Sequence, residues 1–147
     1  MKKIALLSDT HGFIDQTMVK YLLDVDEIWH AGDFGNMAVS DFLASLKPLK
    51  GVYGNVDGQD VRKVHPLHQK FQVEGVKVWM THIGGYPGNY ASEIKKSIYT
   101  ERPSLFISGH SHILKVMRDP KIPGLLHINP GAAGVHGFHH VRTMVKF

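Results

Sequence analysis

Ile4-Ala5-Leu6-Leu7-Ser8-Asp9-Thr10-His11 decides the fold. The apolar run Lys3–Ser8 suits a buried β-strand, and polar side chains follow it at once. Outward from there, Ile14, Met18, Tyr21, Leu22 and Val25 fall at helical spacing. Glu27–Ala31 reads as a short strand. Val39, Phe42, Leu43 and Leu46 recur at i, i+3, i+4, i+7, an amphipathic helix that Asn36 can cap. Pro48 ends it, and Leu49–Tyr53 reads as a third strand. The order β-α-β-α-β predicts parallel strands with helical crossovers, an α/β chain. Further on, Phe71–Val73 and Val76–Met80 flank Glu74-Gly75 as a hairpin. Gly84–Asn89 is a glycine-rich loop, Tyr90–Thr100 a helix with Ala91, Ile94 and Ile98 on one face, and Ser104–Ser108 a strand. Strand-like pieces at Ile113–Met117, Leu125–Ile128 and Val141–Phe147 complete the chain. With no repeat, linker or low-complexity segment, one domain over residues 1–147 is expected.

The bulk numbers narrow the function. The chain has 147 residues, 43% apolar and 20% charged, an ordinary globular composition. No apolar run nears the ~18 residues that span a bilayer, so no membrane partner is expected. Met1–Leu7 imitates a signal peptide but stops at Ser8-Asp9, short of the ~7–15 residues of an apolar core region. It is taken as the first strand, and the protein as cytoplasmic. The absence of cysteine excludes disulfides, zinc fingers and thiolate catalysis. The formal charge of +4 is scattered, so no dedicated nucleic-acid surface is expected. Eleven histidines are the unusual count.

Five expected strands are each followed by metal-type side chains: Asp9-Thr10-His11, Gly32-Asp33, Gly54-Asn55, His82, and Gly109-His110-Ser111-His112. Open α/β sheets bind ligands outside the carboxyl ends of their strands. Each piece alone is weak, since Asp-x-His and Gly-Asp are common turn sequences. Together they offer two aspartates, one asparagine and four histidines at strand ends. Seven ligands exceed the three or four of one catalytic zinc. A carboxylate such as Asp33 can bridge two ions with its two oxygens. Two ions about 3.5–4 Å apart can hold a hydroxide and clamp a phosphoryl group. Their excess positive charge favours an anionic substrate.

At these residues the sequence resembles the calcineurin-like metallophosphoesterase superfamily, whose pattern is D-x-H, G-D, G-N, a later His, and G-H-x-H. Asn129-Pro130-Gly131 resembles the family's later N-P-G turn. Length and spacing look most like its small single-domain branch, which includes the YfcE-like phosphodiesterases. The resemblance implies two mixed β-sheets packed as a sandwich flanked by helices. It also implies that Asp9, His11 and His112 bind a first metal, that Asp33 bridges, and that Asn55, His82 and His110 bind a second. The activity implied is hydrolysis of small phosphoesters, diesters favoured over monoesters. Asp33, Asn55 and His82 stand at the reacting centre. The ions would be manganese by first choice, with iron, nickel or zinc as alternatives.

Two positions depart from the pattern. Many relatives carry a histidine directly after G-N, to protonate the leaving group or bind phosphate. Here Val56 and then Asp57 follow, leaving Asp57 or water as the acid and favouring good leaving groups. Ala132 and Ala133 follow the N-P-G turn where serine is common. His30 is expected to be a hydrogen-bonded core residue, and His65, His68 and His127 structural or at the surface. His136, His139 and His140 are expected at the surface, with the rim of the site as the alternative. Tyr86 and Tyr90 either shape the substrate side or are ordinary aromatics. The rival function is a non-catalytic metal-binding scaffold, of the kind exemplified by a retromer subunit that resembles this branch. A homo-oligomer is left open.

Overall fold

The structure is a computed structural model covering residues 1–147. In order, it comprises β1 (Ile4–Leu7), α1 (Gln16–Leu22), β2 (Glu27–His30), α2 (Met37–Leu46), β3 (Leu49–Gly51) and α3 (Gln59–Val64). There follow β4 (His68–Val73), β5 (Val76–Thr81), β6 (Gly85–Tyr86), β7 (Asn89–Tyr90) and α4 (Ser92–Glu101). The chain ends with β8 (Leu105–Ile107), β9 (Leu114–Arg118), β10 (Leu126–Pro130) and β11 (Val145–Lys146). One sheet has the order β11-β1-β2-β3, the other β4-β5-β8-β10-β9. β1, β2 and β3 are parallel, as are β5, β8 and β10; β11, β4 and β9 add antiparallel edges. This is the expected pair of mixed sheets flanked by helices.

Strand alternation builds the layers. Successive side chains point to opposite faces. Ile4 and Leu6 therefore join Trp29 and Val52 against Val78, Met80, Leu105, Ile107 and Ile128, the core between the sheets. Ala5, Leu7 and Ile28 turn outward against Met18 and Leu22 of α1, Val39 and Leu43 of α2, and Val61 of α3. On the far side Trp79 and Phe106 receive Ile94 and Ile98 of α4. Truncating Leu43, fully buried, to alanine costs about 2–5 kcal/mol by the usual cavity penalty.

Local chemistry sets the ends. Asn36 caps α2 by accepting from the Val39 N–H at 3.0 Å, as expected, and Asp15 does the same for Met18 of α1. Glu74 and Gly75 both take positive φ, as a two-residue turn between right-twisted strands requires. Three features differ from expectation. Helix α3 has no counterpart in the sequence pattern, because its six residues bury only Val61 and show no period. The glycine-rich loop closes into the small hairpin β6–β7. The C-terminal segment pairs with β1 only at its very end, at Val145, Lys146 and Phe147.

Several histidines are core residues. His30 is fully buried, and its ring stacks on Phe34 at 3.7 Å, which stacks in turn on His65 at 4.5 Å. Thr10 gives its hydroxyl proton to the Phe34 carbonyl, so His30 Nε2 donates to Thr10 Oγ1 while Nδ1 accepts from the Gly32 N–H. His127 is fully buried, with Nδ1–H donating to the Phe106 carbonyl. Burial pushes the His127 pKa down to about 4 and lowers His65 likewise. A base whose folded pKa is depressed binds its proton in the unfolded chain first. Stability is then complete above the unfolded value near 6.5 and falls as the pH drops toward the folded value. The denaturation midpoint is therefore expected to fall between pH 7.5 and 5. His127→Asn, which keeps a donor but cannot titrate, should show a shallower fall. Urea titrations at both pH values would check this; equal slopes would refute it.

Candidate metal centre

The carboxyl ends of β1, β2, β3, β5 and β8 lie at one edge of the sandwich and bring all seven expected residues to it. Donor atoms of Asp9, His11 and His112 form one group, and those of Asp33, His82 and His110 another, each within 4.8 Å. Asn55 joins the second, its Oδ1 3.1 Å from His110 Nδ1. Across the centre, His11 Nε2 lies 3.5 Å and His82 Nε2 3.1 Å from Asp33 Oδ2, and His112 Nε2 lies 3.2 Å from Asp9 Oδ1. Donors bound to one ion at about 2.1 Å sit roughly 3–3.5 Å apart, so the spacing suits metal coordination.

Three of the donors are held by their other atoms. Asp9 Oδ2 accepts from the Ser8 hydroxyl at 2.6 Å and the His110 N–H at 3.1 Å, which turns Oδ1 inward. His82 Nδ1–H donates to the Ala31 carbonyl at 2.7 Å, which leaves the Nε2 lone pair facing the centre. Asp33 Oδ1 accepts from the Val56 N–H, so Oδ2 alone lies between His11 and His82. Asp33 thus presents Oδ2 between the two groups. Asp9 Oδ1, His11 Nε2 and His82 Nε2 are buried with no hydrogen-bond partner, which fits donors meant for a cation.

The backbone is strained where the donors sit. Asp9, His11, Asp33, His110 and His112 all have φ between 46° and 72°. Left-handed geometry costs a non-glycine residue about 1–2 kcal/mol, and such outliers gather at functional sites. Close approach accounts for Gly54: a Cβ there would lie 2.0 Å from Asp33 Oδ1.

The electrostatics favour ionised carboxylates. Burial alone would raise Asp9, but the neighbouring His11, the Ser8 hydroxyl and the charges of His82 and His112 hold it at about 2. Burial also opposes ionisation of Asp33, and the neighbouring His82 imidazole together with the Val56 N–H outweighs it. Asp9 raises His11, and Asp33 and Asp9 raise His82 against its burial. Burial lowers His112.

Asp57 does not take the place expected for an acid. It is buried, and its carboxylate accepts four backbone N–H groups: Asp33, Phe34 and Gly54 at Oδ2, and Gly35 at Oδ1. Both of its oxygens are turned to backbone donors, and it does not line the cleft. Asp57 instead ties the loop bearing Asp33 to the loop bearing Asn55. Val56 is half exposed at the cleft edge. Over the donors opens a cleft of about 540 Å³ whose far wall is His136, Phe138 and His139. His136 lies 4.8 Å from the His11 ring and His139 5.2 Å from the His112 ring, so both belong to the rim; His140 is exposed. Tyr90 is a core residue donating to Asp119, whereas Tyr86 is exposed beneath Lys115.

The model of the calcineurin-like phosphoesterase superfamily domain matches residues 1–147. A probable metallophosphoesterase of Mycoplasma pneumoniae is 30% identical over 139 residues, covering 90% of this chain and 79% of the relative. Vps29 of Chaetomium thermophilum superposes with a TM-score of 0.78 at 16% identity, over 99% of this chain and 84% of that one. A novel archaeal phosphodiesterase superposes with a TM-score of 0.68 at 23% identity, over 89% and 84%.

Replacing the clamp should be costly. Asp57→Asn removes the charge that four N–H groups share and turns its own N–H₂ toward one of them. A loss of about 2 kcal/mol or more is expected, together with reduced bound metal. Denaturation and metal analysis would check it. A variant of normal stability and metal content, impaired only for poor leaving groups, would restore the acid role.

Proposed function

The chain belongs to the calcineurin-like phosphoesterase superfamily, and we propose that it hydrolyses phosphoesters, diesters in preference to monoesters, with two divalent ions. The observation that carries this is the convergence of Asp9 Oδ1, His11 Nε2 and His82 Nε2, buried without partners, on one space beside Asp33 Oδ2. Asp9, His11 and His112 would hold one ion, Asn55, His82 and His110 the other, with Asp33 shared. Bound ions would lower the pKa of water and neutralise the phosphoryl oxygens. Manganese is the first choice, with iron, nickel and zinc as alternatives.

The chain's own residues set the rest. His82, held through the Ala31 carbonyl, keeps a fixed nitrogen on the centre, and Asp57 holds Asp33 at the depth both groups need. Val56, Ile113 and Phe138 give the cleft an apolar edge, Phe138 being fully exposed. Such an edge suits the organic part of a diester better than a small monoester does. That one similar fold is an archaeal phosphodiesterase agrees. The scaffold alternative rests on the outward Leu114 and Val116 of edge strand β9, which could meet another protein.

Two measurements test the proposal. Asp33→Ala should lose both ions on dialysis and all activity, whereas His110→Ala should lose about one. Equal losses would argue against a shared Asp33. With Mn²⁺, aryl phosphodiesters of graded leaving-group pKa should show a steep fall in rate, because no acid stands at Val56 to supply the usual ~10²–10⁴-fold help. A flat dependence would transfer that role to His136, and metal uptake without turnover of any ester would favour the scaffold.

A further inference from the structure

We propose that His139 is a positioning residue of the metal centre: its Nδ1 accepts the Nδ1–H of His112 and fixes that ring. The inference rests on the proposal that His112 binds an ion through Nε2. That nitrogen faces Asp9 Oδ1 at 3.2 Å. A ligating nitrogen is unprotonated, so the proton of the neutral ring sits on Nδ1. Ligating histidines donate this second N–H to a carboxylate, carbonyl or water, which sets tautomer and orientation. His82 does so through Ala31, but none of the site's hydrogen bonds engages the His112 ring.

What stands beside it is His139, its ring 5.2 Å away at 77°. His139 Nε2 lies 2.8 Å from the Gly134 carbonyl. A carbonyl only accepts, so Nε2 carries the proton and Nδ1 of the neutral ring is a bare lone pair. That Nδ1 is buried and has no partner. The Cβ of any larger residue at position 137 would lie 2.4 Å from His112 Nδ1 and 3.1 Å from His139 Nδ1. Both nitrogens thus border the spot that Gly137 leaves free. A donor lacking an acceptor and an acceptor lacking a donor border the same spot. The turn Gly134–His139 is then a brace for one ligand, closed on itself by the Gly134 bond.

The test titrates the metal-free full-length protein with Mn²⁺ by calorimetry. His139→Phe keeps the ring and removes both nitrogens; His139→Asn places an amide oxygen near the Nδ1 position. The expected result is two binding events in the parent. In His139→Phe one event should weaken by about 10–100-fold with the other unchanged, and His139→Asn should recover part of the loss. In the Zn²⁺-loaded parent, a slowly exchanging His112 Nδ1 proton should appear by NMR and vanish in His139→Phe. Parent-like affinities in His139→Phe would overturn this inference alone. Equal weakening of both events with a lowered melting temperature would overturn it too, showing a general packing role. A parent that binds no Mn²⁺ would overturn the two-ion proposal and this inference with it.

Discussion

Two buried carboxylates, Asp9 and Asp33, point their oxygens at a common space, and most of the remaining structure follows from that constraint. Removing a charge from water costs several kcal/mol unless something of opposite sign replaces the solvent. Imidazolium protons on His11 and His82 can do so, which is why both histidines are raised beside the aspartates. A divalent cation does it better, because it balances both carboxylates without occupying the nitrogen lone pairs. The protonated arrangement and the metal-loaded one therefore compete for the same atoms, and metal binding must release protons.

Holding such a cluster open requires support outside it. Five of its residues sit in left-handed backbone that no side chain prefers. The support comes from groups whose own needs are fully met. Asp57 collects four N–H groups from two loops, and Thr10 and His30 bond each other and the backbone of the Asp33 loop. Phe34 is stacked between His30 and His65. A neutral, depressed histidine is useful here because it offers one donor and one acceptor without adding charge beside the candidate metal centre.

Much of this was legible in the chain. The parallel crossovers showed because β1 to β3 are short apolar runs joined by segments of helical period, and the donors showed because each follows a strand directly. What was not legible depends on distance rather than order. Asp57 looks like a spare acid beside Asn55, and only the fold reveals that it is sealed under the Gly32–Gly35 turn. That Asp33 Oδ1 accepts from the Val56 N–H could not be read either, since a backbone group has no signature of its own. His136 and His139 lie more than twenty residues from the nearest donor, and only the return of the chain toward β11 carries them to the cleft. Helix α3 is too polar and too short for periodicity to report.

The two donor groups are each divided between the sheets. Asp9 and His11 come from the first sheet and His112 from the second; Asp33 and Asn55 come from the first, His82 and His110 from the second. Neither group closes within one sheet, so any ion bound there links the sheets at their carboxyl edge, above the apolar core that joins them lower down. Binding free energy then adds to the packing of the sandwich, in proportion to the logarithm of ion concentration over its dissociation constant. The metal site is in this sense the polar continuation of the inter-sheet core. The same division explains why strained donor loops persist: relaxing any one of them would move its ligand away from partners fixed on the opposite sheet.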